Sequence, residues 1–277
     1  MSILTKAKPL SAERNLELLK DAESYAYSTV DDTHLVAHCF FPEQHQAGDS
    51  KPAIIFFHGG MWDVSMATQF APHAMHFASR GMVAVIVEYR VSSAFNATPE
   101  NAIEDAEGAM LWLKNNHREL GLDPNRITAA GAASGAHMAL LLAMQPGNEA
   151  SETYSARPLG VIALSAIVDT TKKGIAMDRF IDSKNAIQLS PSKLVGKGMC
   201  PMLLVHGKAD TIVPHQHIAK FAKAMNRKKN KCELIEYEGM NHSFFNFNVS
   251  SKHFELTLNA MDAFLVNLDC IEPIDYV

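Results

Sequence analysis

Short, uninterrupted apolar runs alternate along this chain with stretches of helical periodicity, and that alternation restricts the fold more than any other feature. Ala53-Ile54-Ile55-Phe56-Phe57, Met82 to Val87 and Met202 to Val205 each suit one strand, as do the less uniform stretches Ile127 to Ala130, Val161 to Val168 and Glu233 to Tyr237. Runs that are apolar at every position belong to strands covered on both faces, as in parallel sheets. Helical patterns lie between them near 68–80, 99–118, 137–144, 215–226 and 252–267. The 99–118 segment carries Glu100, Glu104 and Asp105 early and Lys114, His117 and Arg118 late, which suits the helix dipole. Strand–helix alternation predicts an α/β fold, a mostly parallel sheet with helices on both faces. Residues 24–30 and 34–41 predict an antiparallel hairpin around Asp31-Asp32 ahead of it.

The 277 residues, 47% of them hydrophobic, suit a single domain with a large core. A net charge of −5 offers no basic footprint, so no nucleic-acid partner is expected. The start Met1-Ser2-Ile3-Leu4-Thr5-Lys6 lacks the apolar core of a secretory leader, and no run reaches the ~18 apolar residues of a membrane span. No membrane partner and a cytoplasmic location are therefore expected. Cys39, Cys200, Cys232 and Cys270 are too scattered for a zinc site or a disulfide framework and read as reduced, mostly buried thiols. His73 with His76, and His215 with His217, lack a carboxylate or thiol at ligand spacing; they read as solvated surface, and no metal is expected. Arg227 to Lys231 reads as a solvated turn. Residues 170–198 break the rhythm and are either a long surface connection or a small cap over a substrate.

Gly131-Ala132-Ala133-Ser134-Gly135 falls where a strand passes into a helix. In the pattern G-x-S-x-G, a sharp turn at that junction lifts a serine Oγ into a pocket. Both glycines are present, but the middle position is Ala133, and Ser134 comes one place late. Two registers are open: position 133 as the nucleophile position, or Ser134 as the nucleophile flanked by Ala132 and Ala136. The first is favoured, because only it meets the steric demand for glycine two residues to either side.

Acyl transfer needs, besides a nucleophile, a base, a carboxylate that orients the base, and donors for the oxyanion. His242, in a loop after the last strand, is the candidate base. Asp210, just past an apolar strand and the turn at Gly207, is the candidate acid, although an aspartate before a helix also suits an N-cap. The order nucleophile position, acid, histidine runs along the chain as it does in α/β-hydrolases. His58-Gly59-Gly60-Met61-Trp62 follows a buried strand, so Gly59 and Gly60 are candidate oxyanion donors together with the N–H of Ser134. Trp62, His137 and Phe244 lie near these loops and are candidate pocket residues, with core packing as the alternative.

Taken together, His58-Gly59-Gly60-Met61-Trp62, Val87-Glu88-Tyr89-Arg90, Asp123-Pro124-Asn125-Arg126-Ile127, the 131–135 turn with His137, His206-Gly207-Lys208-Ala209-Asp210 and Gly239-Met240-Asn241-His242 carry a resemblance. From about residue 50 to 268 the chain resembles α/β-hydrolases of the esterase/lipase group. It is similar to small carboxylesterases, acetyl- and feruloyl-type carbohydrate esterases, and arylformamidases. The resemblance implies catalytic roles for position 133, Asp210 and His242, a small-molecule ester substrate and no cofactor. Retention of every partner around Ala133 favours a serine exchanged for alanine over a natural non-catalytic binding protein. Arylformamidase activity is the second enzymatic reading.

Overall fold

The six runs and the hairpin ahead of them become one eight-stranded sheet in the computed structural model, which describes residues 13–145 and 154–274. The strands are β1 (Glu23–Val30), β2 (Thr33–Phe40), β3 (Lys51–Phe57), β4 (Val83–Val87), β5 (Leu122–Ala132), β6 (Val161–Leu164), β7 (Met202–Gly207) and β8 (Cys232–Tyr237). The helices are α1 (Glu13–Leu18), α2 (Ala71–Ser79), α3 (Ser92–Phe95), α4 (Pro99–Asn115), α5 (Ser134–Met144), α6 (Ser183–Gln188), α7 (His215–Arg227) and α8 (Ser251–Val266). The order across the sheet is β1-β2-β4-β3-β5-β6-β7-β8. Only β1 with β2 and β2 with β4 pair antiparallel.

The β1–β2 hairpin turns at Asp31 (φ 47°) and Asp32 (φ 61°), two left-handed residues in a row, as a tight turn matched to strand twist requires. Alternate residues of β3 and β4 divide the core. Ile55, Phe57, Val83, Val85 and Val87 pack with α4, α5 and α7, whereas Ile54, Phe56, Ala84 and Ile86 pack with α2 and α8. Burial on both faces is what the unbroken apolar runs predicted.

Several boundaries differ from the sequence reading: β5 starts at Leu122 rather than Ile127 and α5 at Ser134 rather than His137, and three others have a local cause. Helix α4 stops at Asn115, and the Asn116 side chain donates to Trp112 O at 2.8 Å to close its end. The 68–80 pattern splits into a 3₁₀ turn (Ala67–Phe70) and α2, with Pro72 in the first turn of α2. Strand β6 stops at Leu164, because Ser165 takes φ 45° and leaves the sheet. His73 is not solvated: it is buried and packs against Phe56, Phe70 and Phe254. The four thiols are free, three of them buried.

After β3 the chain crosses to β4 on one side and later to β5 on the other. The carboxyl ends of β3 and β5 are therefore the switch point of the sheet, the place where open α/β sheets bind ligands. The His58-Gly59-Gly60 loop leaves β3 there, and Ala133 leaves β5 there.

Candidate active site

Ala133 stands between β5 and α5 with φ 49° and ψ −109°, a conformation costly for any residue with a Cβ. Both sides hold it. Its N–H donates to Leu164 O at 3.0 Å, and its carbonyl accepts from His137 N at 3.0 Å and Ile167 N at 3.3 Å. The turn residue is thus position 133, while Ser134 is the first residue of α5 with its side chain buried. The two glycines are required by contact. A Cβ on Gly135 would fall 2.0 Å from Phe57 O, and one on Gly131 would fall 2.4 Å from the Gly135 carbonyl carbon. Gly135→Ala is expected to cost about 3 kcal/mol of stability, read by urea unfolding, since backbone rather than a flexible side chain must give way.

Past β7, Asp210 folds back onto the strand end, with Asp210 N donating to Gly207 O at 3.2 Å. Its Oδ1 accepts from the amides of Ile212 and Val213, both at 2.9 Å. Its Oδ2 pairs with His242 Nδ1 at 2.8 Å and lies 3.3 Å from His206 Nε2. The carboxyl group is fully buried. Burial alone would raise its pKa, but the hydrogen bonds from His206, His242 and the Val213 amide outweigh it and hold the group well below the usual carboxylate range.

A depressed carboxyl pKa stabilises the fold above the unfolded value near about pH 4, and that contribution is lost as pH falls toward the folded value. Unfolding of Asp210→Asn should therefore steepen less than that of the parent chain below about pH 4. Equal acid limbs for the two proteins would contradict the assignment. His242 reaches Asp210 because its loop packs onto Gly207, where a Cβ would fall 2.2 Å from Met240 O. Its carbonyl accepts from Ser165 Oγ at 2.9 Å. Ser165 directly follows Leu164, the residue that holds Ala133, so one strand end braces both turns.

The loop after β3 faces the turn from β5 into α5 at Ala133, the elbow: a Cβ on Gly59 would stand 3.8 Å from Ala133 Cβ. Gly60 (φ 113°), Met61 (φ 56°) and Trp62 (φ 58°) are left-handed in succession. A Cβ on Gly60 would meet Val64 O at 2.3 Å. Beneath the loop the His58 ring stacks on Tyr89 at 4.2 Å, and the Tyr89 hydroxyl donates to His58 O at 2.8 Å. Burial lowers the His58 pKa to about 4, so the ring is neutral at pH 7.

The Gly59 N–H, expected as an oxyanion donor, is already donated to Gln69 Oε1 at 2.7 Å. Among the described residues the amides of Gly60 and Met61 have no hydrogen-bond partner. The Ser134 amide, at the start of α5, has no acceptor within the helix. Gln69 also donates from Nε2 to Asn246 Oδ1 at 3.1 Å, which ties this loop to the segment after His242.

Trp62 and His137 meet edge-on at 5.1 Å, and Phe180 lies over both at 5.6 and 6.0 Å. His137 Nε2 bonds Leu189 O at 2.8 Å, and burial lowers its pKa to about 4. The 170–198 segment contains α6 and two 3₁₀ turns, and it is tied down by Thr170 Oγ1 to Ala186 O (2.6 Å) and Ser192 N to Val168 O (2.8 Å). A cavity of about 480 Å³ opens within it, lined by Thr171, Ile175, Met177, Phe180 and their neighbours. Phe244 is placed elsewhere: it packs against Tyr237 and His253 in the α2–α8 layer of the core. Sequence reasoning missed Gln69, His206, Met61 and Phe180. His206 and Met61 sit inside motifs already singled out and Phe180 inside the 170–198 segment read as a possible cap, whereas nothing in the local pattern marks Gln69.

No group of three or more potential metal ligands forms among the described residues. His76 pairs with Asp262 at 2.7 Å and His215 with Glu236. No helix among the described residues is long and apolar enough to cross a membrane.

The family model described as BD-FAE matches residues 39–225. The probable carboxylic ester hydrolase LipM of Mycobacterium tuberculosis is 25% identical over 219 residues, covering 70% of this chain and 50% of that protein. The isoprenylcysteine alpha-carbonyl methylesterase ICME of Arabidopsis thaliana is 26% identical over 217 residues, with the same two shares. The chain spans about half the length of the curated relatives it matches. Propionate-bound esterase 2 of Thermogutta terrifontis superposes with a TM-score of 0.86 at 33% identity, over 92% of this chain and 97% of that one. The same esterase phosphoramylated by tabun superposes with a TM-score of 0.87 at 34% identity, over 92% and 98%. Match and superposition agree with the mostly parallel sheet: the chain belongs to the BD-FAE family and has the α/β-hydrolase fold of its esterase neighbours.

Proposed function

We propose that the chain is a serine-type carboxylic ester hydrolase whose nucleophile position holds alanine, so that this copy does not turn over. The observation that carries the reading is Ala133 in the left-handed elbow conformation, at the same sheet edge as the His242–Asp210 pair. In the serine form, Oγ at position 133 attacks the ester carbonyl. His242 takes its proton and returns it to the leaving alcohol, and Asp210 holds the imidazole with Nδ1 protonated so that Nε2 faces the reaction. The amides of Gly60, Met61 and Ser134 receive the oxyanion. Gly59 is a positioning residue, since Gln69 occupies its N–H. The reaction calls for no cofactor.

Trp62, His137 and Phe180 form an aromatic wall for a short acyl group, with 170–198 as its cover. The propionate- and butyrate-bound forms of the Thermogutta esterase support a short acyl group here. The test is Ala133→Ser assayed on p-nitrophenyl acetate, longer p-nitrophenyl esters, a feruloyl ester and N-formylkynurenine. Acetate or propionate esters are expected to turn over fastest. Fastest turnover of N-formylkynurenine would make the enzyme an arylformamidase, and none at all in a folded protein would leave a binding module.

A further inference from the structure

A second hydroxyl–imidazole–carboxylate relay lies away from the elbow, on the antiparallel edge of the sheet. Ser24 on β1 and His38 on β2 are directly paired across the strands, and Ser24 Oγ lies 2.8 Å from His38 Nδ1. His38 Nε2 lies 2.9 Å from Glu88 Oε1, just past the end of β4. His38 and Glu88 are buried, while Ser24 is half-buried on an edge strand and keeps part of its surface open to solvent. A carboxylate only accepts, so the Nε2 proton points to Glu88 and the Nδ1 lone pair faces the Ser24 hydroxyl. That is the tautomer a serine needs from its base. Nucleophile within reach of a base, and base oriented by a third group, is the arrangement that activates hydroxyls generally.

The geometry points to Ser24 as a second reactive serine, one that accepts acyl or phosphonyl groups from small activated electrophiles such as aryl esters and fluorophosphonates. With p-nitrophenyl acetate, Ser24 Oγ bonds the acetyl carbon while the bond from that carbon to the phenol oxygen breaks. The hydroxyl proton passes to His38 Nδ1 and from there to the departing phenolate. Glu88 keeps its hydrogen bond to Nε2 throughout and steadies the imidazolium that forms.

Two other serine or threonine hydroxyls paired with an imidazole among the described residues serve as built-in comparators. Thr29 Oγ1 with His34 Nδ1 and Ser250 Oγ with His253 Nδ1 both meet at 2.9 Å. Among the described residues no carboxylate holds either of those rings. The inference is independent of position 133. Alanine there removes the competing nucleophile, so the chain as it stands is the right reagent.

The test is to incubate the chain with p-nitrophenyl acetate, and separately with a fluorophosphonate, and to map adducts by peptide mass spectrometry over time. Ser24 is expected to be modified first and to near stoichiometry, ahead of Thr29, Ser28 and Ser250. Ser24→Ala should remove that adduct and its share of phenolate release. His38→Gln and Glu88→Gln, checked for folding by thermal melting, should slow it about a hundredfold. Ser24 labelling no faster than Ser250 or Ser28 overturns the inference, and this readout needs no variant. Labelling at Ser24 that survives His38→Gln unchanged in a folded protein overturns it as well.

Discussion

Ala133→Ser is expected to raise ester hydrolysis by about 10⁶-fold in kcat, the scale lost when a triad serine is removed from a comparable enzyme. The size of the gain follows from how little else must change. The elbow is already formed at φ 49° and ψ −109°, held by Leu164 O, His137 N and Ile167 N. Serine adds one oxygen to a Cβ that is already there, so the backbone strain is common to both residues. Stability should accordingly move by about 1 kcal/mol or less, the scale of one added hydroxyl hydrogen bond. Adding Ser134→Ala to the serine form should leave kcat within about twofold, because Ser134 is expected to act through its backbone N–H. A folded Ala133→Ser chain without hydrolysis of any tested ester refutes the proposed function. Activity in the unaltered chain that vanishes with Ser134→Ala refutes the assignment of position 133.

In that serine background, Asp210→Asn is expected to lower kcat at neutral pH by about 10⁴-fold, as at the equivalent carboxylate of a serine protease. The direction is set by the two backbone amides. Ile212 N and Val213 N both donate to Oδ1, so an asparagine must keep its carbonyl oxygen there and turn its NH₂ toward His242. A donor facing Nδ1 forces the imidazole into the other tautomer, with Nε2 protonated and unable to act as base. The same NH₂ also faces His206 Nε2, which already lies 2.9 Å from Val213 O. Steady-state kinetics on p-nitrophenyl acetate check this result. A loss of less than about tenfold would mean that Asp210 serves only as a brace for its loop.

Much of this molecule can be read from its residues because the signals are local. Buried parallel strands need unbroken apolar runs, so β3, β4 and β7 were visible, and the elbow needs glycines where backbones touch. The misreadings come from contacts between distant parts of the chain. Ala166-Ile167-Val168 looks like more strand because it is buried, but Ser165 turns out of β6 and gives its Oγ to His242 O. His73 looks like a surface histidine until Phe254, far along the chain, closes over its ring. A glycine pair cannot reveal which amide is spoken for. Gly59 loses its candidacy only to Gln69, whose second partner, Asn246, lies 177 positions further on.

That glutamine has a directional consequence. Gly59 N–H donates to Gln69 Oε1, Gln69 Nε2 donates to Asn246 Oδ1, and Asn246 Nδ2 donates to Ser243 O. Each amide in the chain gives at one end and takes at the other, so only one orientation of the two side chains satisfies all three bonds. Glutamate at 69, nearly the same shape, accepts at both ends and breaks the sequence at Asn246. The loop after β3, proposed to receive the oxyanion, and the loop that carries His242, the proposed base, therefore behave as a matched pair, and a graft that exchanges one without the other inherits a broken polarity.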